Sequence, residues 1–244
     1  MRILGITSYN GYLYQGWQKQ KDALTIQEEI EKVLSQYFNQ KVKIFGAGRT
    51  DAGVHALRQA FHFDVSKNDV DFDRAIYSLN LMLPQDIKIV DLKLVDDDFH
   101  ARYDAKEKLY SYTFSFENKE VFSYEVITTM PYQMDLEIME KALTHLLGKH
   151  CFKNFTSKTT DKDIFIREIF DAHLTVEGNY VTIFFAGNGF MQYQIRYLVG
   201  TLIEIGRGRL NIEDLDDLLD EHAKRKIVSY KAPANGLMLV DVIY

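Results

Sequence analysis

Residues 46–56 read Gly-Ala-Gly-Arg-Thr-Asp-Ala-Gly-Val-His-Ala. One carboxylate, that of Asp51, stands among three glycines, with Arg49 two residues before it and His55 four after it. Glycine permits backbone conformations that other residues avoid, and it lets a ligand approach the chain closely. The segment also lacks the alternating or helical apolar pattern of a core element. It therefore predicts a loop that presents an acid to a bound molecule.

Two other interpretations compete with an acid that acts on a ligand. An aspartate in a glycine-rich turn often accepts hydrogen bonds from the nearby backbone and does nothing else. A phosphate-binding P-loop needs a lysine and then Ser or Thr after its last glycine, but Arg49 and Thr50 follow Gly48, and no lysine follows Gly53. The dinucleotide fingerprint G-x-G-x-x-G fails because Asp51 stands where its last glycine should be. The pattern alone leaves a capped turn and an acid-presenting loop open.

The composition is typical of a globular protein. The 244 residues are 46% hydrophobic and 26% charged, enough for one large or two small domains with a sizeable core. The sequence has no apolar run long enough to span a membrane, and its N-terminus lacks the plan of a signal peptide. The single cysteine, Cys151, excludes an internal disulfide and a multi-cysteine metal site. We expect a cytoplasmic protein.

The charge distribution bears on nucleic-acid binding. A net charge of −6 argues mildly against it, since nucleic-acid-binding proteins usually carry a basic face. Local potential nevertheless matters more than net charge, and the acids concentrate at 96–98 and 213–221. The arginines beside the motifs are Arg49, Arg102, Arg196, Arg207 and Arg209. This separation is compatible with a local surface that faces RNA.

Periodicity in the first hundred residues predicts the order β-α-β-β-α-β. Residues 25–28, Thr-Ile-Gln-Glu, have the capping-box pattern that opens a helix, and residues 61–65 alternate as a half-buried strand does. Further strands are predicted at 2–9, 12–14, 42–44 and 87–94, and a second helix at 71–83.

The second half repeats this order of elements without repeating the sequence. Predicted elements are strands at 110–116, 164–176, 180–185 and 237–244 and helices at 135–147, 190–205 and 212–221. We therefore predict an α+β fold with two ferredoxin-like halves, 1–103 and 104–244, joined in a largely antiparallel mixed sheet with helices on one side. An active-site cleft is expected between the halves.

Two residues outside the loop are candidates to complete a site with Asp51. Arg196 lies in the most apolar predicted helix, where its guanidinium either reaches solvent or pairs with a carboxylate such as that of Asp51. Tyr110 begins an aromatic strand face, where its ring is either core or a platform for a base, with its hydroxyl as an acid or base. His55 and His100 are weaker candidates for proton transfer. No His and acid set has the spacing of a metal site.

Motifs along almost the whole chain together resemble those of the tRNA pseudouridine synthases of the A type, in which residues 46–56 match the catalytic loop. The sequence departs from the family pattern at Asn10, Glu107, Gln192 and Tyr193. The other matching segments are 16–20 (Gly-Trp-Gln-Lys-Gln), 79–87, 99–102 (Phe-His-Ala-Arg), 109–112, 148–152, 187–196 and 232–237.

The resemblance implies the pseudouridine synthase fold and an isomerase that converts uridine to pseudouridine at positions 38, 39 and 40 of the tRNA anticodon arm. It implies a homodimer and no metal or coenzyme. Asp51 would be the catalytic acid, Arg196 would hold it, and Tyr110 would stack on the detached uracil. The substrate-binding residues would be Arg49, His55, His100, Arg102, Tyr110 and Leu237.

Two functions from other classes remain as alternatives. A non-catalytic RNA-binding protein could be built from two ferredoxin-like halves, but the aromatic signature of an RNA-recognition motif belongs on a strand. The closest string here, at 189–193, opens a predicted helix. A phosphotransferase acting on a small molecule would need a cluster of metal-binding carboxylates around Asp51, and the sequence suggests none.

Overall fold

The computed structural model describes residues 1–66, 69–117, 121–157 and 165–244. The chain divides into two compact units, one formed by 1–106 with 238–244 and the other by 107–237. The C-terminal strand thus belongs with the N-terminal residues, whereas the predicted division, 1–103 and 104–244, assigns it to the second half.

The first unit follows the predicted β-α-β-β-α-β order. The elements are β1 (Arg2–Tyr9), α1 (Ile26–Tyr37), β2 (Phe45–Gly46), β3 (His55–Asp64), α2 (Phe72–Met82) and β4 (Ile87–Val95). The middle strand β1 pairs antiparallel with both β3 and β4, and the short β2 pairs antiparallel with β3.

The core of this unit follows from two apolar patterns in its sequence, one with the 3.6-residue period of a helix and one with the two-residue period of a strand. Ile26, Ile30 and Leu34 of α1 are at most 1% exposed, as a 3.6-residue apolar period requires. Phe61 and Phe63 of β3 are fully buried. Burying an aromatic or aliphatic side chain of this size stabilises a fold by about 1.5–3 kcal/mol, so these two faces hold the unit together.

Two local predictions for the first unit are wrong, whereas the helix predicted to open at residues 25–28 is confirmed. Residues 12–14 form a turn instead of a strand, because Tyr14 N–H donates to the Gly11 carbonyl at 3.0 Å. Residues 42–44 are not a strand either, since β2 begins at Phe45. Thr25 precedes α1 as a cap should, but its hydroxyl is buried without a hydrogen-bond partner in the described part of the chain.

The second unit is a mixed sheet with helices. The elements are β5 (Glu107–Ser115), β6 (Thr128–Thr129), α3 (Leu136–Thr144), β7 (Gly148–Cys151), β8 (Ile166–Glu177), β9 (Tyr180–Gly187), α4 (Gln194–Gly206), α5 (Ile212–Leu219) and β10 (Leu237–Ile243), whose residues 238–243 lie in the first unit. The strands β5, β9, β8 and β7 pair antiparallel in that spatial order, and β6 runs parallel to β5.

The predicted α+β class is confirmed. Each unit combines helices with a largely antiparallel sheet that also contains one parallel pair, β10 with β3 in the first unit and β6 with β5 in the second. The sequence missed β6 and β7, which are too short to show a period of two. Ile164, the first residue of a predicted strand, lies outside the described residues.

Burial of one histidine makes the stability of the first unit dependent on pH. His62 is 2% exposed, and its Nδ1 accepts a hydrogen bond from Ala101 N–H at 3.1 Å. Burial, with the neighbouring charges of His100 and Arg2, lowers its pKa to about 4 from an ordinary 6.5. Between pH values of about 4 and 6.5, His62 therefore binds a proton in the unfolded chain but not in the folded chain.

We expect the free energy of unfolding to fall by up to about 3 kcal/mol as the pH drops from about 6.5 to 4, which is the linkage of a shift of this size. Urea denaturation at a series of pH values measures it. His62→Asn keeps an acceptor at the position of Nδ1 but cannot titrate, so its stability should depend less on pH. An equal pH dependence in both proteins would contradict this role.

Candidate active site

The glycine loop joins β2 to β3. Gly46 lies in β2, and His55 and Ala56 already belong to β3, so the loop itself is residues 47–54. Its first residue, Ala47, donates its N–H to the Ala60 carbonyl at 2.8 Å. Near its end, Val54 N–H donates to the Asp51 carbonyl at 3.1 Å, and Gly53 has a φ of +77°. The loop is therefore a defined turn around Asp51.

A neighbouring stretch, residues 9–17, braces this loop through the backbone. Trp17 N–H donates to the Thr50 carbonyl at 3.1 Å, and Gly53 N–H donates to the Tyr14 carbonyl at 3.2 Å. Gly16 has a φ of +89°, and a Cβ there would lie 2.7 Å from the Thr50 carbonyl oxygen. This close approach explains why glycine is needed at position 16. The sequence does not predict that residues 9–17 support the loop, although the motif at 16–20 points to this region.

Side chains anchor the loop and its brace. The Tyr9 and Thr50 hydroxyls are 2.9 Å apart in a buried hydrogen bond, and Gln59 Nε2 donates to the Gly48 carbonyl at 3.1 Å. The Tyr14 hydroxyl donates to Asp86 at 2.7 Å. Burial and this bond raise the pKa of Tyr14, so it stays protonated. Because Thr50 directly precedes Asp51, these contacts fix the backbone that carries the partly exposed Asp51 side chain.

The loop's other two candidate residues differ in exposure. Arg49 is exposed, which suits contact with a large anionic substrate. His55 is 1% exposed, and its Nδ1 accepts a hydrogen bond from Gly11 N–H at 3.0 Å. This geometry favours a structural role for His55 in tying residue 11 to β3.

His100 and Arg102 lie in a turn of the first unit. The His100 ring centroid is 4.6 Å from that of His62 and 4.3 Å from that of Tyr103, and its Nδ1 accepts from Arg102 N–H at 3.1 Å. The Arg102 side chain is exposed, with its guanidinium carbon 5.8 Å from the centroid of Tyr103. His100 thus packs in a ring cluster, while Arg102 presents its charge to solvent.

Tyr110 lies inside β5, where it is 8% exposed. The prediction that this strand begins at Tyr110 is wrong, because β5 begins at Glu107. Its partner across the sheet is Phe185, and its ring meets Phe190 edge to face with centroids 5.3 Å apart. The ring is therefore held in one orientation by its neighbours.

The next side chain on that strand face belongs to the core. Tyr112 is fully buried, and its hydroxyl lies 3.0 Å from the Pro233 carbonyl oxygen and 3.2 Å from Thr128 Oγ1. Burial raises the pKa of Tyr112, and the Thr128 hydroxyl and the Arg196 charge oppose this rise. Tyr112 is therefore a neutral hydrogen-bond donor at physiological pH.

Arg196 lies in the first turn of α4, after Tyr193, whose backbone is left-handed with a φ of +65°. Its Nε donates to the Ala232 carbonyl at 2.8 Å, and Ala232 N–H donates back to the Arg196 carbonyl at 2.9 Å. This reciprocal pair orients the guanidinium, which is only partly exposed. Leu237 is 5% exposed at the start of β10, and its N–H donates to the Ala234 carbonyl at 2.9 Å.

The site candidates therefore fall in both units. Arg49, Asp51, His55, His100 and Arg102 lie in the first, and Tyr110, Arg196 and Leu237 in the second. In the described part of the chain, no group of three or more His, Cys, Asp or Glu side chains could hold a metal ion. No helix among these residues has both the length and the apolar composition needed to cross a membrane.

Comparison with known proteins gives matches along the full length. A family model described as tRNA pseudouridine synthase matches residues 6–104 and 142–244. A protein of Exiguobacterium sp. named tRNA pseudouridine synthase A is 39% identical over 243 residues, which cover 100% of this chain and 98% of that protein. Proteins of the same name from Streptococcus pneumoniae and Acetivibrio thermocellus are also 39% identical, over 100% and 98% of this chain and 98% of each relative. The ranges matched by the family model include Asp51 and Arg196 but not Tyr110.

Proposed function

The chain belongs to the tRNA pseudouridine synthase family, whose members are isomerases, and we propose that it converts uridine to pseudouridine at positions 38, 39 and 40 of the tRNA anticodon stem-loop. The observation that carries the proposal is the 39% identity to proteins named tRNA pseudouridine synthase A along the whole chain. The braced loop that presents Asp51 supports it from the side of chemistry.

The reaction needs few chemical groups. The bond between uracil N1 and ribose C1′ breaks, the base rotates, and a bond from C5 to C1′ forms. C5 then loses a proton and N1 gains one, so atoms and electrons balance without oxidation or hydrolysis. A metal or coenzyme is not required for such a step. The target base must leave its stack, which costs a few kcal/mol.

We assign the central role to Asp51 in its ionised form. It either attacks C1′ as a nucleophile or removes a ribose proton to give a glycal. Both need a carboxylate held in one place, because effective catalysis depends on the position of the reacting group before the reaction begins. The contacts of Trp17, Tyr14 and Tyr9 with the loop supply that rigidity.

Arg196 and Tyr110 complete the proposed mechanism. A guanidinium has five N–H donors, so one bond to the Ala232 carbonyl is compatible with a further ion pair to Asp51, which would keep that acid ionised. Tyr110 would stack on the detached uracil and accept the C5 proton, and Leu237 would pack against the base. The proposed site thus draws on both predicted halves, 1–103 and 104–244.

Three of the remaining candidates are proposed to bind the tRNA, and the fourth, the buried His55, to support the binding surface. Arg49, next to the loop's acid and exposed, would occupy the space that the flipped base leaves or bind a phosphate. Arg102 is exposed and would also bind phosphate, with His100 beside it. His55 would act from within the fold, through its bond to Gly11.

We further propose a homodimer in the cytoplasm, with one tRNA touching both subunits. Large apolar side chains on the surface support an additional interface, since Tyr77 is 68% and Leu81 is 70% exposed on α2. Light scattering on the purified protein measures the mass. A monomer mass at micromolar concentration would contradict the dimer.

Tritium release tests the activity. An unmodified tRNA transcript that carries 5-tritiated uridine should release tritium to water, because C5 exchanges its hydrogen for the bond to C1′. A transcript with cytidine at positions 38, 39 and 40 should release none, which also tests the target positions. Binding of the first transcript without release would favour the non-catalytic RNA-binding protein.

A further inference from the structure

A short segment of the second unit is basic in an acidic protein. Residues 222–231 read His-Ala-Lys-Arg-Lys-Ile-Val-Ser-Tyr-Lys and contain no acid, whereas the whole chain has 35 acidic and 29 basic residues. We name this segment the basic strap. It forms no helix or strand. Its positive charges are therefore not the polar face of an amphipathic element.

Partly buried hydrogen bonds hold the middle of the strap in place. Lys226 N–H donates to Asn154 Oδ1 at 2.7 Å, and Val228 N–H donates to the Asn154 carbonyl at 3.0 Å. Asn154 itself is 1% exposed. Arg225 donates to the carbonyls of Lys153 and Thr156 at 3.0 and 2.8 Å. The Arg225 guanidinium is thus engaged inside the fold, and the strap backbone is fixed without secondary structure.

The other end of the strap packs on α4 beside Arg196. A Cβ on Gly200 would overlap the Tyr230 carbonyl, so the strap backbone touches the helix where only glycine fits. The next residue after the strap, Ala232, accepts a hydrogen bond from Nε of Arg196 and donates its N–H to the Arg196 carbonyl. Lys231 Nζ lies 4.5 Å from the ring centroid of Tyr193. The strap therefore runs directly into the surroundings of a proposed site residue.

Three lysines of the strap have no acidic partner within the described part of the chain. Lys224, Lys226 and Lys231 are exposed, and no salt bridge among the described residues includes any of them. The two acids that are nearest to these lysines in the sequence contact His222 instead. Asp220 accepts its N–H at 2.8 Å, and Glu221 lies 3.4 Å from its ring.

We propose that Lys224, Lys226 and Lys231 bind the phosphate backbone of the RNA substrate. That this RNA is a tRNA rests on the proposed function. The strap backbone is already ordered, so binding costs conformational entropy mainly in the lysine side chains, and each phosphate contact releases counterions from the RNA. The continuity with Arg196 favours RNA over an acidic protein partner, because the strap leads directly into Ala232, which is hydrogen-bonded to a residue of the proposed RNA site.

The salt dependence of binding tests the strap. The double variant Lys224→Gln, Lys226→Gln should fold normally, because both side chains are exposed. Its Kd for the unmodified tRNA transcript should rise about tenfold at 0.1 M salt, and the slope of log Kd against log salt should fall by about 2, one for each lost phosphate contact. Filter binding from 0.05 to 0.3 M salt measures both.

A matched control has the same loss of charge elsewhere. Lys88 and Lys93 are exposed on β4 of the first unit, and the variant Lys88→Gln, Lys93→Gln should bind as the wild type does. Wild-type affinity and slope in the strap variant would overturn the proposal, as would equal losses in both double variants. Tritium release by the wild-type enzyme is scored separately. Its absence would contradict the proposed isomerase without changing the outcome of the binding comparison.

Discussion

Replacement of Asp51 by alanine should abolish tritium release, with a loss of at least about 10⁴-fold, which is the size of effect that removal of a reacting group produces. The variant should still fold, because the loop is held by the backbone bonds of Trp17 and Gly53 and by the hydrogen bond between Tyr9 and Thr50. It should also still bind tRNA, because the proposed phosphate contacts are made elsewhere. Single-turnover assays and filter binding measure the two properties.

Two variants separate chemistry from structure in this test. Asp51→Asn keeps the size of the side chain but removes its charge, and we expect a loss as large as that of alanine. Asp98→Ala removes an exposed acid of the same unit and should leave the rate unchanged. Turnover by purified Asp51→Asn within tenfold of the wild type would end the assignment of Asp51 as the reacting acid.

Arg196→Lys should lower the rate of isomerisation by about 10²–10³-fold although the positive charge is kept. Nε of Arg196 is bound to the Ala232 carbonyl, and the planar fork can bond to a carboxylate at the same time. A lysine has a single ammonium group at the end of a flexible chain, so it cannot make both contacts with one geometry. The loss should appear mainly in kcat, since the proposed role is to orient Asp51.

An arginine elsewhere in the protein provides the control. Arg58 Nε lies 3.2 Å from Asp241 Oδ1 in an ion pair on the surface, and exposed pairs of this kind contribute little to stability. Arg58→Lys should therefore retain activity and stability. Near-normal kcat in Arg196→Lys, with the fold intact, would show that the fork of Arg196 does not matter for the reaction.

The elements that the sequence predicted correctly are those with a strong local signal. The helix α1 buries Ile26, Ile30 and Leu34 because their spacing places them on one face, whatever the rest of the chain does. The apolar residues at 12–14 predict a strand, but the hydrogen bond from Tyr14 N–H to the Gly11 carbonyl makes a turn there. The aromatic alternation predicts a strand that begins at Tyr110, whereas β5 begins at Glu107. Alternation identifies the residues on one face of a strand but not the residue at which pairing begins.

The α+β class, the glycine-rich turn around Asp51 and the family can all be predicted from the amino-acid sequence, because each depends on residue types at short and regular spacing. The contacts that support Asp51 and Arg196 can be found only in the folded chain. Tyr9 meets Thr50 across 41 residues, and Arg196 meets Ala232 across 36. A hydrogen bond between such distant residues leaves no periodic pattern, since it forms only where packing brings the two segments together.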